Sequence, residues 1–251
     1  MTASIVIKQE EIKRMEKNTE EYLECERHWV FALLIFVGGY YGVYTFLMRG
    51  GVFCNAQTAN FVLFAIELGN MNWSKAAYYL IPMFAYLAGA FVSEAIPTKL
   101  IKIKFLRWDT LLIATELLFI LALGFVPDSA PYQISQIAIN FICSMQYNTF
   151  RQAEGIPMAT TFCTNHVRQV GIHLHKLLSG KNIASFKRSL RHLGMLAMFV
   201  LGGVFGVIGC NLWKGRAIWG AALPMLILFF DFLHADLTNE KDRLGTLPHG
   251  H

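Results

Sequence analysis

Amide and hydroxyl side chains are concentrated in one short stretch, residues 49–60, between two apolar runs. Two glycines open the stretch, and the polar residues Asn55, Gln57, Thr58 and Asn60 follow them. Such side chains are costly in hydrocarbon unless they are partnered in protein or face a water-filled path. The chemistry that they offer is hydrogen bonding to a partly dehydrated solute.

A weaker repeat of this stretch lies about 106 residues later, at 155–166. With that offset, Thr164 aligns with Thr58. The candidate solute ligands of this second half are Gln146, Thr161, Thr164 and His166. A duplicated polar interruption of apolar helices is typical of a solute site in a membrane protein. The alternative is that these side chains only cap and brace the interrupted helices, with Thr58 and Thr164 as N-caps.

Glu116 is the strongest single candidate for a functional residue, because it lies well inside the apolar run 109–126. A carboxylate at mid-bilayer costs roughly 2.5–3.5 kcal/mol on insertion scales, so this side chain is expected to face the protein interior. There it could relay protons. The alternative is a structural hydrogen bond.

Composition places these residues in a membrane protein. Of 251 residues, 55% are hydrophobic and only 16% are charged, and the mean hydropathy is +0.42. Long apolar blocks predict an all-α polytopic membrane protein. The net charge of +5 comes from basic residues in loops beside the apolar runs, so nucleic-acid binding is not predicted. The five cysteines form no CxxC pair and are expected to be small buried residues.

Charge in the loops predicts the topology. Eight full crossings would place the basic loop 99–107 outside and the loop 127–131, without Lys or Arg, inside, against the positive-inside bias. If both polar stretches re-enter on the side they came from, six crossings remain and both termini are cytoplasmic. The exceptions are Lys214 and Arg216, which fall outside. The predicted crossings are 28–48, 76–96, 109–126, 132–150, 193–213 and 218–234.

Three crossings in each half give the halves opposite orientations, which predicts an inverted repeat. The predicted parts are a cytoplasmic or interfacial helix at 1–27, a single membrane domain at 28–234 and a polar cytoplasmic tail at 235–251. Within the membrane domain, the repeats are 28–126 and 132–234. The two broken segments would enter from opposite sides, and their half-helices would meet near the midplane with positive N-terminal ends converging.

The motif of the first stretch also resembles a known family. Gly-Gly-Val-Phe-Cys-Asn-Ala-Gln-Thr-Ala-Asn at 50–60, after a span rich in Gly and Tyr, is similar to the Gly-Val-Phe-x-x-x-Gln-Thr-Gly-Asn pattern of the YoaK family of uncharacterised bacterial membrane proteins. Gln146, residues 160–164 and Arg168 resemble its second block, and the likeness covers roughly 29–233. The sequence departs from the pattern in two places, with Ala59 in place of Gly and 165–166 in place of Gly-Asn. The resemblance implies a multi-pass protein of the bacterial cytoplasmic membrane and an unknown function.

The function that this pattern predicts is a transporter or channel for a small solute, and converging helix N-termini favour an anionic or hydrogen-bond-accepting group. Expected partners are the lipid bilayer and an unidentified solute, and a homo-oligomer is left open. One alternative is an accessory or scaffold membrane protein. The other is an integral-membrane enzyme, suggested only by the cytoplasmic residues Cys163, His166, His173, His175 and His192. Because HExxH, CxxC and nucleotide-binding motifs are missing, we expect no enzyme activity, no metal and no cofactor.

Overall fold

The structure is a computed structural model that describes residues 22–97, 105–180 and 183–249. The α-helices are α1 His28–Met48, α2 Gln57–Gly69, α3 Trp73–Ala95, α4 Trp108–Leu123, α5 Tyr132–Thr149, α6 Thr164–Gly180, α7 Ile183–Trp213 and α8 Ala222–Leu237. Short 3-10 helices cover Glu24–Glu26, Lys214–Ala221 and Lys241–Arg243, and a small hairpin joins β1 Gln152–Ala153 to β2 Ile156–Pro157. The prediction of an all-α fold is confirmed. Most of the predicted helix at 1–27 lies outside the described residues.

Three segments of the described chain are long and apolar enough to cross a membrane: His28–Met48, Trp73–Ala95 and Ile183–Leu237. The last has 55 residues and contains both α7 and α8 with the 3-10 helix between them. α4 has only 16 residues. α5 is less apolar because it carries the buried amides of Gln136, Asn140 and Gln146. The structure therefore contains helices suited to a bilayer, although fewer meet the length and hydropathy limits than the six crossings predicted.

Glycines set the two closest helix contacts. α1 packs on α7, where a Cβ at Gly202 would overlap the carbonyl of Phe36. α3 packs on α5, where a Cβ at Gly89 would overlap the carbonyl of Phe141. Small residues allow helix backbones to approach this closely in a membrane. Further contacts pair α2 with α3, α6 with α7, α4 with α8, α4 with α5 and α8 with α1.

The helix ends form two opposite faces. One, here called the terminal face, joins Glu24–Glu26, the β-hairpin, the start of α4 and the C-terminal segment. There the backbone N–H of Glu24 donates to Glu240 at 2.7 Å, and that of Glu154 donates to the carbonyl of Glu26 at 2.9 Å. The described part of the predicted tail, 235–249, belongs to this face: α8 continues to Leu237, and the backbone N–H of His249 donates to Glu26 at 2.6 Å.

The opposite face, here called the Arg49 face, holds the entrance to the first polar stretch. The Gln136 side chain donates to the carbonyl of Arg49 at 2.6 Å and also contacts the hydroxyl of Tyr78, near the start of α3. The Tyr44 hydroxyl donates to the carbonyl of Gly215 at 2.8 Å. The chain therefore leaves α1 and enters α3 on the same face.

Candidate functional site

The first broken segment, residues 49–56, connects α1 to α2. Gly50 and Gly51 turn the chain with φ values of +81° and +72°, a region that glycine adopts without the strain of a side chain. Asn60, fully buried on α2, then braces the extended backbone: its amide donates to the carbonyl of Phe53 at 2.6 Å, and its oxygen accepts from the N–H of Phe53 at 3.0 Å. Broken backbone in an apolar surrounding is thus supplied with hydrogen bonds by a side chain.

Two of the predicted solute ligands, Gln57 and Asn60, share a hydrogen-bond network, and a third, Asn55, bonds separately to α1. Gln57 donates to the amide oxygen of Asn140 on α5 at 2.8 Å and accepts from Asn60 at 3.1 Å. Asn55 donates to the carbonyl of Gly38 on α1 at 2.9 Å. Thr58 is exposed and stays outside this network. The prediction that Thr58 caps α2 is wrong, because α2 begins at Gln57 after Ala56 and no side chain caps it.

The second broken segment, residues 150–163, connects α5 to α6 and contains the β-hairpin, which turns at Gly155 with a φ of +73°. Thr160 and Thr161 are fully buried beyond it, and within the described chain their hydroxyls have no hydrogen-bond partner. Gln146 reaches α1, where it donates to the carbonyl of Leu34 at 3.4 Å. Thr164 begins α6 and is exposed.

His166 is fully buried, and its partners fix its role. Nε2 lies 2.8 Å from the carbonyl of Ala159 and must carry a proton, since a carbonyl only accepts. In the neutral ring, Nδ1 then accepts from Nδ1 of His192 on α7 at 3.0 Å. The ring of His173 stacks on that of His192 with centroids 6.1 Å apart, whereas His175 is exposed. His166 therefore holds α6 to α7 and to the second broken segment.

Both broken segments meet at Gly38. Asn55 of the first segment bonds to its carbonyl, and the carbonyl of Thr160 in the second lies 2.7 Å from the position that a Cβ of Gly38 would take. Any side chain at this position would collide with the second segment. The middle of α1 is thus the point at which the two polar stretches come together.

A group of polar side chains, here called the central polar cluster, lies beside this meeting point: Tyr41, Cys54, Tyr86, Glu116 and Cys143. Tyr41 lies near Glu116, Cys54 and Cys143, and Tyr86 lies near Cys54 and Cys143. Glu116 and Tyr41 are fully buried. Within the described part of the chain, both carboxyl oxygens of Glu116 and the hydroxyl of Tyr41 have no hydrogen-bond partner.

Sequence reasoning missed the buried arginine of the terminal face. Arg107, read as one of several loop cations, is fully buried. Its side chain donates to Asp109 at 3.0 Å and to Glu240 at 2.8 Å, and its backbone N–H donates to Asp236 at 3.0 Å. Asp236 and Glu240 are more than 125 residues away along the chain. The sequence around Arg107 therefore contains no pattern that predicts the contact.

Among residues 22–97, 105–180 and 183–249, there is no group of His, Cys, Asp and Glu side chains that could hold a metal ion. The arrangement can donate and accept hydrogen bonds and can carry a proton at Glu116.

Fold and site together define an all-helical protein with membrane-compatible helices packed around buried polar groups and two interrupted helices. The chain belongs to the family described as protein of unknown function (DUF1275), whose model matches residues 30–230. Comparisons with curated proteins and with solved structures find no match.

Proposed function

We propose that this chain is a transporter or channel for a small solute, with its site where the two broken segments meet at Gly38. The observation that supports this proposal most directly is that the meeting point lies beside buried polar groups without hydrogen-bond partners. Among the described residues, these are above all the carboxylate of Glu116 and the hydroxyl of Tyr41. Leaving such a group unsatisfied costs about 1–3 kcal/mol. A solute or water that bonds to them gives a reason for their presence.

Helix packing supports an inverted repeat with six crossings. The contact between α1 and α7 corresponds in this repeat to the contact between α5 and α3. The contact between α4 and α5 corresponds in the same way to the contact between α8 and α1. The two glycine contacts correspond as well, Gly202 with the carbonyl of Phe36 and Gly89 with that of Phe141. In this arrangement α1, α3, α4, α5, α7 and α8 cross the bilayer, while α2 and α6 are the re-entrant half-helices.

The faces support the direction of entry. Residue 49 and the start of α3 share the Arg49 face, so the first broken segment with α2 leaves from and returns to that face. The hairpin at the start of the second segment lies on the terminal face, beside the start of α1. We assign the terminal face to the cytoplasm of a bacterial cell, in keeping with the basic loops and with the likeness to the YoaK family.

Solute ligands are proposed within reach of the meeting point: Asn55, Gln57, Asn60, Gln146 and Thr161. Their amides are bonded to one another and to backbone, so solute binding would exchange these partners. Thr58, Thr164 and His166 are less suited, because the first two are exposed and the third is committed to Ala159 and His192. Glu116, beside Tyr41, is the proposed proton carrier.

Single-cysteine accessibility tests the proposal. In a cysteine-free background, cysteines replace Lys102, Ser129, Gln57 and Thr161, and a small charged thiol reagent is added from each side. We expect Lys102→Cys to react only from inside, Ser129→Cys only from outside, and the two central cysteines to react slowly. Leu118→Cys, on the 67% exposed face of α4, is the matched control and should be inert in lipid.

Two results would count against the proposal. Reaction of Lys102→Cys from outside would restore eight crossings and remove the inverted repeat. Correct topology with Gln57→Cys and Thr161→Cys as inert as Leu118→Cys would mean that no aqueous path reaches the meeting point, and a scaffold role would replace transport.

A further inference from the structure

Lys214 and Arg216 are the two cations that the positive-inside bias does not explain. Both line a cavity of about 540 Å³ between the end of α4 and the end of α7. Its other walls include Phe125, Asp128 and Trp213. Both basic side chains are exposed, and neither makes an ion pair with another described residue.

A third cation lies behind this cavity. Arg49 is only 1% exposed, and its Nε donates to the Tyr44 hydroxyl at 2.8 Å. Its Nη2 is buried, and within the described chain it has no hydrogen-bond partner. That nitrogen lies 2.8 Å from the position a Cβ would take on Gly215, between the two cavity cations, and the carboxylate of Asp128 also contacts this position.

Buried charges in proteins are normally paired or hydrogen-bonded, because an isolated charge loses its hydration. Arg49 forms no ion pair with a described residue, and Asp128 is the only carboxylate that lines the cavity. Three cations therefore face one carboxylate. Guanidinium groups bind carboxylate and phosphate oxygens through charge-assisted hydrogen bonds.

We propose that this cavity binds an oxyanion, a carboxylate or phosphate group, held by Lys214 and Arg216 with Arg49 behind them. The proposal rests on the proposed function and narrows its solute class, since Arg49 directly precedes the two glycines of the first broken segment. The cavity therefore lies next to the residue from which that segment starts. Lipid phosphate and soluble oxyanions share this chemistry.

Equilibrium binding tests the site without any transport. The detergent-purified full chain is titrated with sodium phosphate, with sodium chloride at equal ionic strength as the blank, and tryptophan emission is followed. Trp213, which lines the cavity and is 59% exposed, supplies the signal, and Trp213→Phe identifies it. The same titration is repeated with dihexanoyl phosphatidic acid below its micelle concentration.

The test variant is Lys214→Gln combined with Arg216→Gln, which changes two exposed side chains and leaves the buried Arg49 in place. Lys187→Gln, near the other end of α7, is the matched control and should bind as the natural chain does. Loss of one charge-assisted hydrogen bond weakens binding roughly tenfold, so the double variant should bind at least about tenfold more weakly.

Saturable binding of phosphate that the double variant weakens would support a soluble oxyanion as the ligand. Saturable binding of the short-chain lipid alone, weakened in the same way, would support a lipid headgroup. Absence of saturation with both probes, or equal binding by the double variant, would overturn the site. Because no flux is measured, failure here leaves the cysteine accessibility of Gln57 and Thr161 as a separate test of transport.

Discussion

At the scale of single residues, Arg107 shows how this fold keeps a charge inside. Its guanidinium is fully buried and contacts carboxylates from α4 and from the C-terminal segment. Removing one member of such a group leaves an uncompensated buried charge, which destabilises a protein by about 3–5 kcal/mol. The sulfur of Cys25 accepts a further bond from Arg107 at 3.3 Å, and burial raises the pKa of this thiol well above its ordinary value.

Glu240 makes this network sensitive to pH. Burial raises the pKa of its carboxyl, although Arg107 beside it lowers that pKa. A carboxyl with a higher pKa in the folded state binds its proton more tightly there than in the unfolded chain. Stability therefore falls as pH rises from the unfolded pKa of about 4.3 through the folded pKa. We predict that Glu240→Gln flattens this fall, as measured by thermal unfolding in detergent between pH 4 and pH 8.

Asp242→Asn is the control for that series, because Asp242 is exposed in the same segment. Its melting temperature should follow that of the natural chain at every pH. A fall of the same steepness in Glu240→Gln and in the natural chain would show that Glu240 is not its source.

The residues of the site differ in how far sequence could find them. Asn55, Gln57 and Asn60 were visible because amides between apolar runs need a reason to be there. The pairing of His166 with His192 was not visible in the sequence, because the two residues are on different helices. A histidine ring on either helix is equally compatible with exposure to water. The cavity that Lys214 and Arg216 line could not be predicted from the sequence, which showed only that these two residues are exceptions to the charge bias.

At the scale of helices, glycine determines which surfaces can touch. A Cβ at Gly202 would overlap the carbonyl of Phe36, which is backbone and cannot rotate away. Overpacking of this kind typically costs 1–3 kcal/mol. We predict that Gly202→Ala lowers the free energy of unfolding by about that amount, and that Gly89→Ala does the same at the crossing of α3 and α5. Denaturant unfolding in detergent measures both.

Gly194, on the same helix as Gly202, is the matched control. No atom lies within 4 Å of the position that its Cβ would take. Alanine in an open helix position gains about 0.5–1 kcal/mol over glycine, so Gly194→Ala should stabilise slightly. If Gly202→Ala and Gly194→Ala shift stability alike, the contact between α1 and α7 is loose enough to accept a Cβ at Gly202.

Helix positions were predictable from apolar runs, but helix ends were not. α7 was expected at 193–213 and begins ten residues earlier, at Ile183, because its first turns are basic and fall outside an apolar window. The first broken segment was found correctly, since two glycines and a polar cluster interrupt an apolar pattern. The hairpin in the second had no such signal, because strands of two residues leave no periodicity to detect.

At the scale of the whole molecule, the two halves are interleaved. The main partner of α1 is α7 and that of α5 is α3, so each half packs its longest apolar helices against the other half. The loop at 127–131 joins the halves on the Arg49 face. Since the glycine contacts between α1 and α7 and between α3 and α5 join different halves, neither half alone buries these surfaces.

We predict that a chain split within 127–131 assembles only when both halves are made together. Each half expressed alone leaves Gly202 or Gly89 facing lipid without its partner backbone, and it should be degraded or aggregate. Co-expressed halves should co-purify through a tag on either one. Gly202→Leu in the second half blocks the close approach to Phe36 and should reduce co-purification, whereas Gly194→Leu should not. A half that is stable and monodisperse alone would show that the halves fold as independent units, and the meeting of the broken segments at Gly38 would then require docking rather than folding.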